Sequence, residues 1–129
     1  MSKESAYNTV LAKEVADFFI TEGDGLFTDE QYFTLVDAVI GHIKFSTIKI
    51  LRDEDGIAAC ARWNWSGDDS IYVMDVAVRE DCRKNDLVRQ LASMCLKENP
   101  GCKFITFHNK EMNKIFKMNS EWYKKEEKS

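Results

Sequence analysis

Apolar and polar positions change period several times along this chain, and each change marks an element. From Ala6 to Ile20 the apolar residues Val10, Ala12, Val15, Phe18 and Phe19 form a broad helical stripe, with Lys13, Glu14 and Asp17 mostly opposite. Gly23 and Gly25 end that helix. Thr28-Asp29-Glu30-Gln31 has the form of a capping box, and Tyr32, Phe33, Leu35, Val36, Val39, Ile40 and Ile43 predict a second amphipathic helix after it. The period then drops to two. Thr47–Arg52 alternates as a strand, Asp53-Glu54-Asp55-Gly56 is a turn, and Ile57–Trp65 is the next strand. Its alternation puts Ala59, Ala61, Trp63 and Trp65 on one face and Ala58, Cys60, Arg62 and Asn64 on the other. Ser66-Gly67-Asp68-Asp69 is a second hairpin turn, so three strands follow as an antiparallel meander.

The third of these strands leads into the most informative stretch. Ile71–Val78 is apolar at nearly every position, as in a strand buried on both faces. Glu80–Asp86 is a charged turn, and Leu87, Val88, Leu91, Met94 and Cys95 then share one helical face. A strand feeding a helix through a polar turn sets the helix N-terminus beside that turn, which is an anion site in principle. An ordinary solvated turn fits the same pattern. Asn99-Pro100-Gly101 stops the helix, and Lys103–His108 is a short strand, parallel to its predecessor because a helix connects them. Met112, Ile115, Phe116, Asn119 and Trp122 or Tyr123 recur at helical spacing and predict a C-terminal helix; the competing strand is confined to Ile115–Met118.

The expected order is therefore ααβββαβα: an α+β domain with a mixed, mostly antiparallel sheet flanked by helices. A length of 129 residues predicts a single domain spanning 1–129. Hydrophobic content of 44% excludes a disordered chain. A net charge of −4 argues against nucleic-acid binding through a broad basic surface. No apolar run is long enough to span a bilayer, and MSKESAYN precedes no signal-like block, so the expectation is a soluble cytoplasmic protein. Cys60, Cys82, Cys95 and Cys102 have neither CxxC nor zinc-like spacing, so no metal site is expected. Cys60 and Cys95 fall on apolar faces, whereas Cys82 in the polar turn reads as an accessible thiol.

The segment VAVREDCRKNDLVRQLA, in this order of elements, resembles the acyl-CoA-binding motif of the GNAT superfamily of N-acyltransferases. Val76-Ala77-Val78 matches the end of that family's central strand, and Arg83, Lys84, Asn85, Asp86, Leu87 and Val88 occupy its pyrophosphate loop. Asn109, Met112 and Phe116 match the spacing of a second family block on the last helix. The resemblance covers about residues 47 to 123. It implies acetyl-CoA as acyl donor, an amine acceptor (small molecule or protein), and CoA contacts from Val76–Val78, Arg83–Val88 and Asn109. Two departures stand out. Asp86 and Val88 replace the family's glycines, which narrows the backbone's approach to a diphosphate, and Phe116 replaces a tyrosine that would protonate the leaving thiolate.

Acyl transfer to an amine needs a base, a polarised carbonyl and an acid. Asp75, the one carboxylate in the apolar strand, is the first base candidate, unless it pairs with Arg62 or a lysine or faces solvent. Glu80 is the second, and Tyr123 (or Tyr72) is the acid candidate. The resemblance favours the enzyme. The missing glycines and Phe116 favour the alternative, a catalytically inactive GNAT-fold binding or inhibitory protein that does not use CoA. A sheet edge left open after Lys103–His108 would suit a homodimer.

Overall fold

The protein is described by a computed structural model covering residues 3–23, 25, 27–83, 87–109 and 114–119, with side chains up to residue 106. Helices α1 (Lys3–Glu22) and α2 (Tyr32–Phe45) open the chain, joined through a short 3-10 turn at Asp29–Gln31. Strands β1 (Ile48–Asp53), β2 (Gly56–Trp65) and β3 (Ser70–Val78) follow, then a 3-10 turn at Glu80–Cys82, helix α3 (Leu87–Glu98), and strands β4 (Phe104–Asn109) and β5 (Lys114–Asn119). The sheet order is β1-β2-β3-β4-β5, with only β3 and β4 parallel.

The alternation expected for β2 sorts the core into two layers. Cys60 and Ala77 pack with Ala12, Val15, Phe19, Leu35 and Val39 beneath α1 and α2. Ala59 and Ala61 face the other way, against Leu91 of α3, and Trp63 joins Ile71, Cys95, Leu96 and Ile105 there. The small alanines let α3 lie close to the sheet. Two bulges break the alternation: Ala58 is the extra residue where Leu51 and Arg52 pair with Ala59 and Ile57, and Met74 is the extra residue between Arg62↔Asp75 and Trp63↔Val73.

Some expectations need correction. Among the described residues the last element is a strand, not a helix, so their order is ααβββαββ; Lys114–Asn119 pairs antiparallel with β4. Over six residues the two periods cannot be separated, and the open edge of β4 decides by offering backbone partners. Residues 120–129, Trp122 and Tyr123 among them, lie outside the described residues. Val10 and Phe33 are exposed rather than in the core stripes. The capping box at Thr28 is present, with the Gln31 side chain accepting from the Thr28 N–H at 2.9 Å. Among the described residues no helix is long and apolar enough to cross a membrane, and no cluster of His, Cys, Asp or Glu is arranged to hold a metal.

Candidate functional site

The central feature of the sheet is the parting of its two parallel strands. β3 pairs with β4 only from Ser70↔Phe104 to Val73↔Phe107, yet β3 runs on to Val78. The parting coincides with the bulge at Met74, whose extra residue bends the strand. Beyond it, hydrogen-bonding direction follows from one contact: the Arg79 N–H donates to the Ala58 carbonyl at 2.8 Å. Direction alternates along an antiparallel ladder, so Ala77 and Asp75 address β2 while Val76 and Val78 address the side β4 has left. The Val78 carbonyl agrees, since it accepts from Arg83 Nε at 3.2 Å. A splayed edge of this kind presents backbone N–H groups to an extended ligand or to a carbonyl oxygen.

At the bulge, on the α1/α2 face, Arg62 and Asp75 sit opposite each other across β2 and β3. Arg62 Nε donates to Asp75 Oδ2 at 2.5 Å, with the two side chains only 9% and 8% exposed. The Arg62 guanidinium carbon lies 5.7 Å from the centre of the Phe27 ring. The pair marks where the helical layer ends. Toward the core the same face carries Cys60 and Ala77, both buried; away from it lie exposed Asn64 and half-buried Tyr72.

His42 borders this pair from α2. The helix ends at Ser46, which takes a left-handed conformation (φ 57°), and the Thr47 N–H returns to the His42 carbonyl at 2.9 Å. That closure sets Thr47 Oγ1 2.7 Å from His42 Nδ1. Burial and the Arg62 charge hold the imidazole below its usual range, partly offset by Thr47 and Asp75, which favours the neutral ring.

The β3–α3 turn is built differently. Arg83 Nη2 approaches both the Glu22 carbonyl and Glu22 Oε2 at 3.4 Å, while the Glu80 N–H donates to the same Oε2 at 3.2 Å. Arg83 thus ties the end of β3 to the end of α1, where a cation also suits the helix dipole. Next to it Arg79 binds Asp53 (3.0 and 2.5 Å) and Asp81 (2.6 Å), joining the β1–β2 hairpin to the turn. Those hydrogen bonds hold both aspartates below the ordinary carboxylate range. Cys82 is buried in this network rather than accessible; burial pushes its thiol up, as it pushes Cys60 and Cys95 to about 12, so none is a thiolate at neutral pH.

The candidate residues are therefore not gathered at one point. Asp75 is at the bulge; Glu80 is exposed past the end of β3, at least ~10 Å of extended strand away. Val76 and Val78 are half-buried against the α3-side cluster, and Ala77 packs under α1 and α2. Leu87 packs against the cluster of Ala59, Ala61 and Leu91, whereas Val88 is 53% exposed. Lys84, Asn85, Asp86 and Tyr123 lie outside the described residues. Asn109 ends β4 and Phe116 falls in β5 opposite Phe107, so the helical spacing that linked Asn109, Met112 and Phe116 has no helix to act on. Sequence reading passed over His42, Phe27 and Glu22. His42 carried a faint signal, as a polar residue three positions after buried Val39; the partnerships of Phe27 and Glu22 arise only from the folded arrangement.

A bulged strand parting from its parallel neighbour, helices α1 and α2 on one face and α3 on the other, defines a GNAT-like α+β fold. A solved structure from Desulfovibrio desulfuricans, assigned to the GNAT family of acetyltransferases, matches it with a TM-score of 0.57 at 15% identity. The match covers 78% of this chain and 66% of that one, so this chain spans a little under two thirds of that protein's length. At this identity the likeness is one of fold. No family model and no curated protein matches the chain.

Proposed function

We propose that this protein transfers an acyl group, acetyl in the simplest case, from a CoA thioester to an amine across the opening between β3 and β4. The observation that carries this reading is the end of β3–β4 pairing at Val73 together with the Met74 bulge. It leaves the backbone of Val76 and Val78 facing the opening, where the extended arm of CoA would lie as a surrogate strand and an N–H group would meet the thioester oxygen. The amine nitrogen attacks the carbonyl carbon, the C–N bond forms, and the C–S bond breaks with its electron pair going to sulfur. The proton lost by nitrogen balances the thiolate, giving amide and CoA thiol. Asp75 Oδ1, the oxygen Arg62 leaves untouched, is the base within reach of the bulge, and Tyr123 retains the acid role as part of this proposal.

A specific observation favours the second reading, a GNAT-like fold that does not use CoA. The Glu22 carboxylate already takes the Glu80 N–H and the Arg83 guanidinium at the turn where a diphosphate would be held. Calorimetry of CoA and acetyl-CoA with the purified protein separates the two. Micromolar binding, followed by CoA thiol release with an amine panel, supports transfer; no heat at millimolar CoA ends the enzyme reading and leaves the fold unaffected.

A further inference from the structure

The Arg62–Asp75 pair is nearly buried and yet half used. A guanidinium has five N–H donors, and a carboxylate has two acceptor oxygens. Here a single bond joins them, Nε to Oδ2, and the ring of Phe27 covers the guanidinium. Neither Nη1 nor Nη2 nor Oδ1 makes a hydrogen bond with any described residue. Each side chain keeps a small solvent exposure, 9% for Arg62 and 8% for Asp75. The opening is small, since each side chain is exposed by less than a tenth. It lies beside the bulge, where Met74 is 36% exposed and Asn64 and Tyr72 carry the surface onward.

This geometry selects by charge pattern. A simple ammonium ion at the opening is drawn to Asp75 and repelled by Arg62, at similar distances and with similar strength, so little net attraction remains. A lone carboxylate meets the same cancellation with the signs reversed. A ligand with both groups a bond or two apart is attracted at both ends. Its ammonium or amine donates to Oδ1, and its carboxylate accepts from the Nη edge as a planar, charge-assisted pair.

We propose that the Arg62–Asp75 pair is a recognition site for a small zwitterion of the α-amino acid class, bound through Asp75 Oδ1 and the Arg62 Nη groups. The inference rests on the acyl-transfer reading for its consequence: the amine held on Oδ1 is the acceptor, and the product is an N-acyl amino acid. It does not rest on that reading for binding, which needs no donor.

The test is calorimetry on the unmodified protein without CoA, using alanine, glutamate, phenylalanine and lysine, each against its methyl ester (cation only) and its N-acetyl form (anion only). The expected result is at least one amino acid binding about tenfold or more tighter than both derivatives, a margin of roughly 1.4 kcal/mol. Asp75→Asn keeps the shape and is expected to abolish that preference; should it fail to fold, the comparison among ligands still decides. Equal affinity for amino acid and ester, or no binding by any amino acid, overturns the proposal. CoA binding with amine acylation but no preference for zwitterions sinks this site and spares the transfer reading. Zwitterion binding without CoA binding does the reverse.

Discussion

The two ends of β3 use the same kinds of residue to opposite effect. At its C-terminal end, Arg79 and Arg83 are satisfied several times over, by Asp53, Asp81, Glu22 and the carbonyls of Val78 and Glu22. Asp53, Asp81 and Arg83 are exposed while Arg79 and Glu22 are half-buried, and together they tie α1, the β1–β2 hairpin and the β3–α3 turn. At the bulge, Arg62 and Asp75 are nearly enclosed and joined by one hydrogen bond. A saturated network builds structure and has few donors to offer a ligand. A buried, unsaturated pair contributes weakly to stability and keeps its recognition capacity. The segment that looked most like a binding loop in the sequence is thus the better knitted of the two.

The comparison breaks most visibly if one buried partner is removed. Arg62→Ala strands Asp75 in a nearly enclosed site and removes the contact with Phe27, so a loss of about 3–5 kcal/mol in unfolding free energy is expected from urea denaturation. Replacing both partners, Arg62→Met with Asp75→Leu, is expected to recover most of that loss, because an apolar pair leaves no uncompensated charge. The double variant would then fold and yet show no zwitterion preference. Poor stability in the double variant would mean the pair is a structural keystone, and the contrast between the two ends would collapse.

Arg83→Ala tests the other end. Arg83 is 45% exposed at the side chain and its ion pair with Glu22 is long at 3.4 Å, so a stability change of about 0–1 kcal/mol is expected. A loss above about 2 kcal/mol would show that the strut between β3 and α1 matters more than an exposed ion pair should. The matching change, Glu22→Gln, removes the carboxylate that takes the Glu80 N–H and Arg83, and so would compete with a diphosphate there under the acyl-transfer proposal. Calorimetry is expected to show CoA and inorganic pyrophosphate binding several-fold more tightly to this variant than to the unmodified protein. Unchanged or weaker binding would show that Glu22 is not in the anion's way.

These contrasts explain what was readable beforehand. The meander, the strand–turn–helix unit and both faces of β2 follow from period-two and helical spacing, because each rests on many residues agreeing. The C-terminal strand was not readable: Ile115, Phe116 and Met118 are too few to separate the periods, and the free edge of β4 chose. Asp75 stood out as a lone carboxylate in an apolar strand, and Arg62 was among its named partners. The Met74 bulge that sets the pair at the mouth of the opening has no sequence mark, since any residue can be the extra one. The loop position of Arg83 is visible in the sequence, whereas its partner Glu22, at the end of α1, is not.

The finest test separates the two ends by pH. Hydrogen bonds from Arg79 hold Asp53 and Asp81 below the ordinary aspartate value of 3.8, so their contribution is complete above that value and disappears as pH falls through their lowered folded values. His42, beside the buried pair, is held below 6.5 by burial and by Arg62. The unfolded chain binds a proton there before the native state does, so stability falls as pH drops below 6.5 and through the lowered native value. Thermal unfolding between pH 7.5 and 3 should therefore show an early, shallow loss and a later, steeper one. His42→Gln is expected to remove the early loss alone, and Arg79→Ala to reduce the late one alone. The early step is also where ligand recognition should change, because a protonated His42 adds a second cation near Arg62 and shifts the balance on which zwitterion selection depends. A single loss, confined to pH below 4 in the unmodified protein, would mean that His42 is not held below its ordinary range in the folded chain.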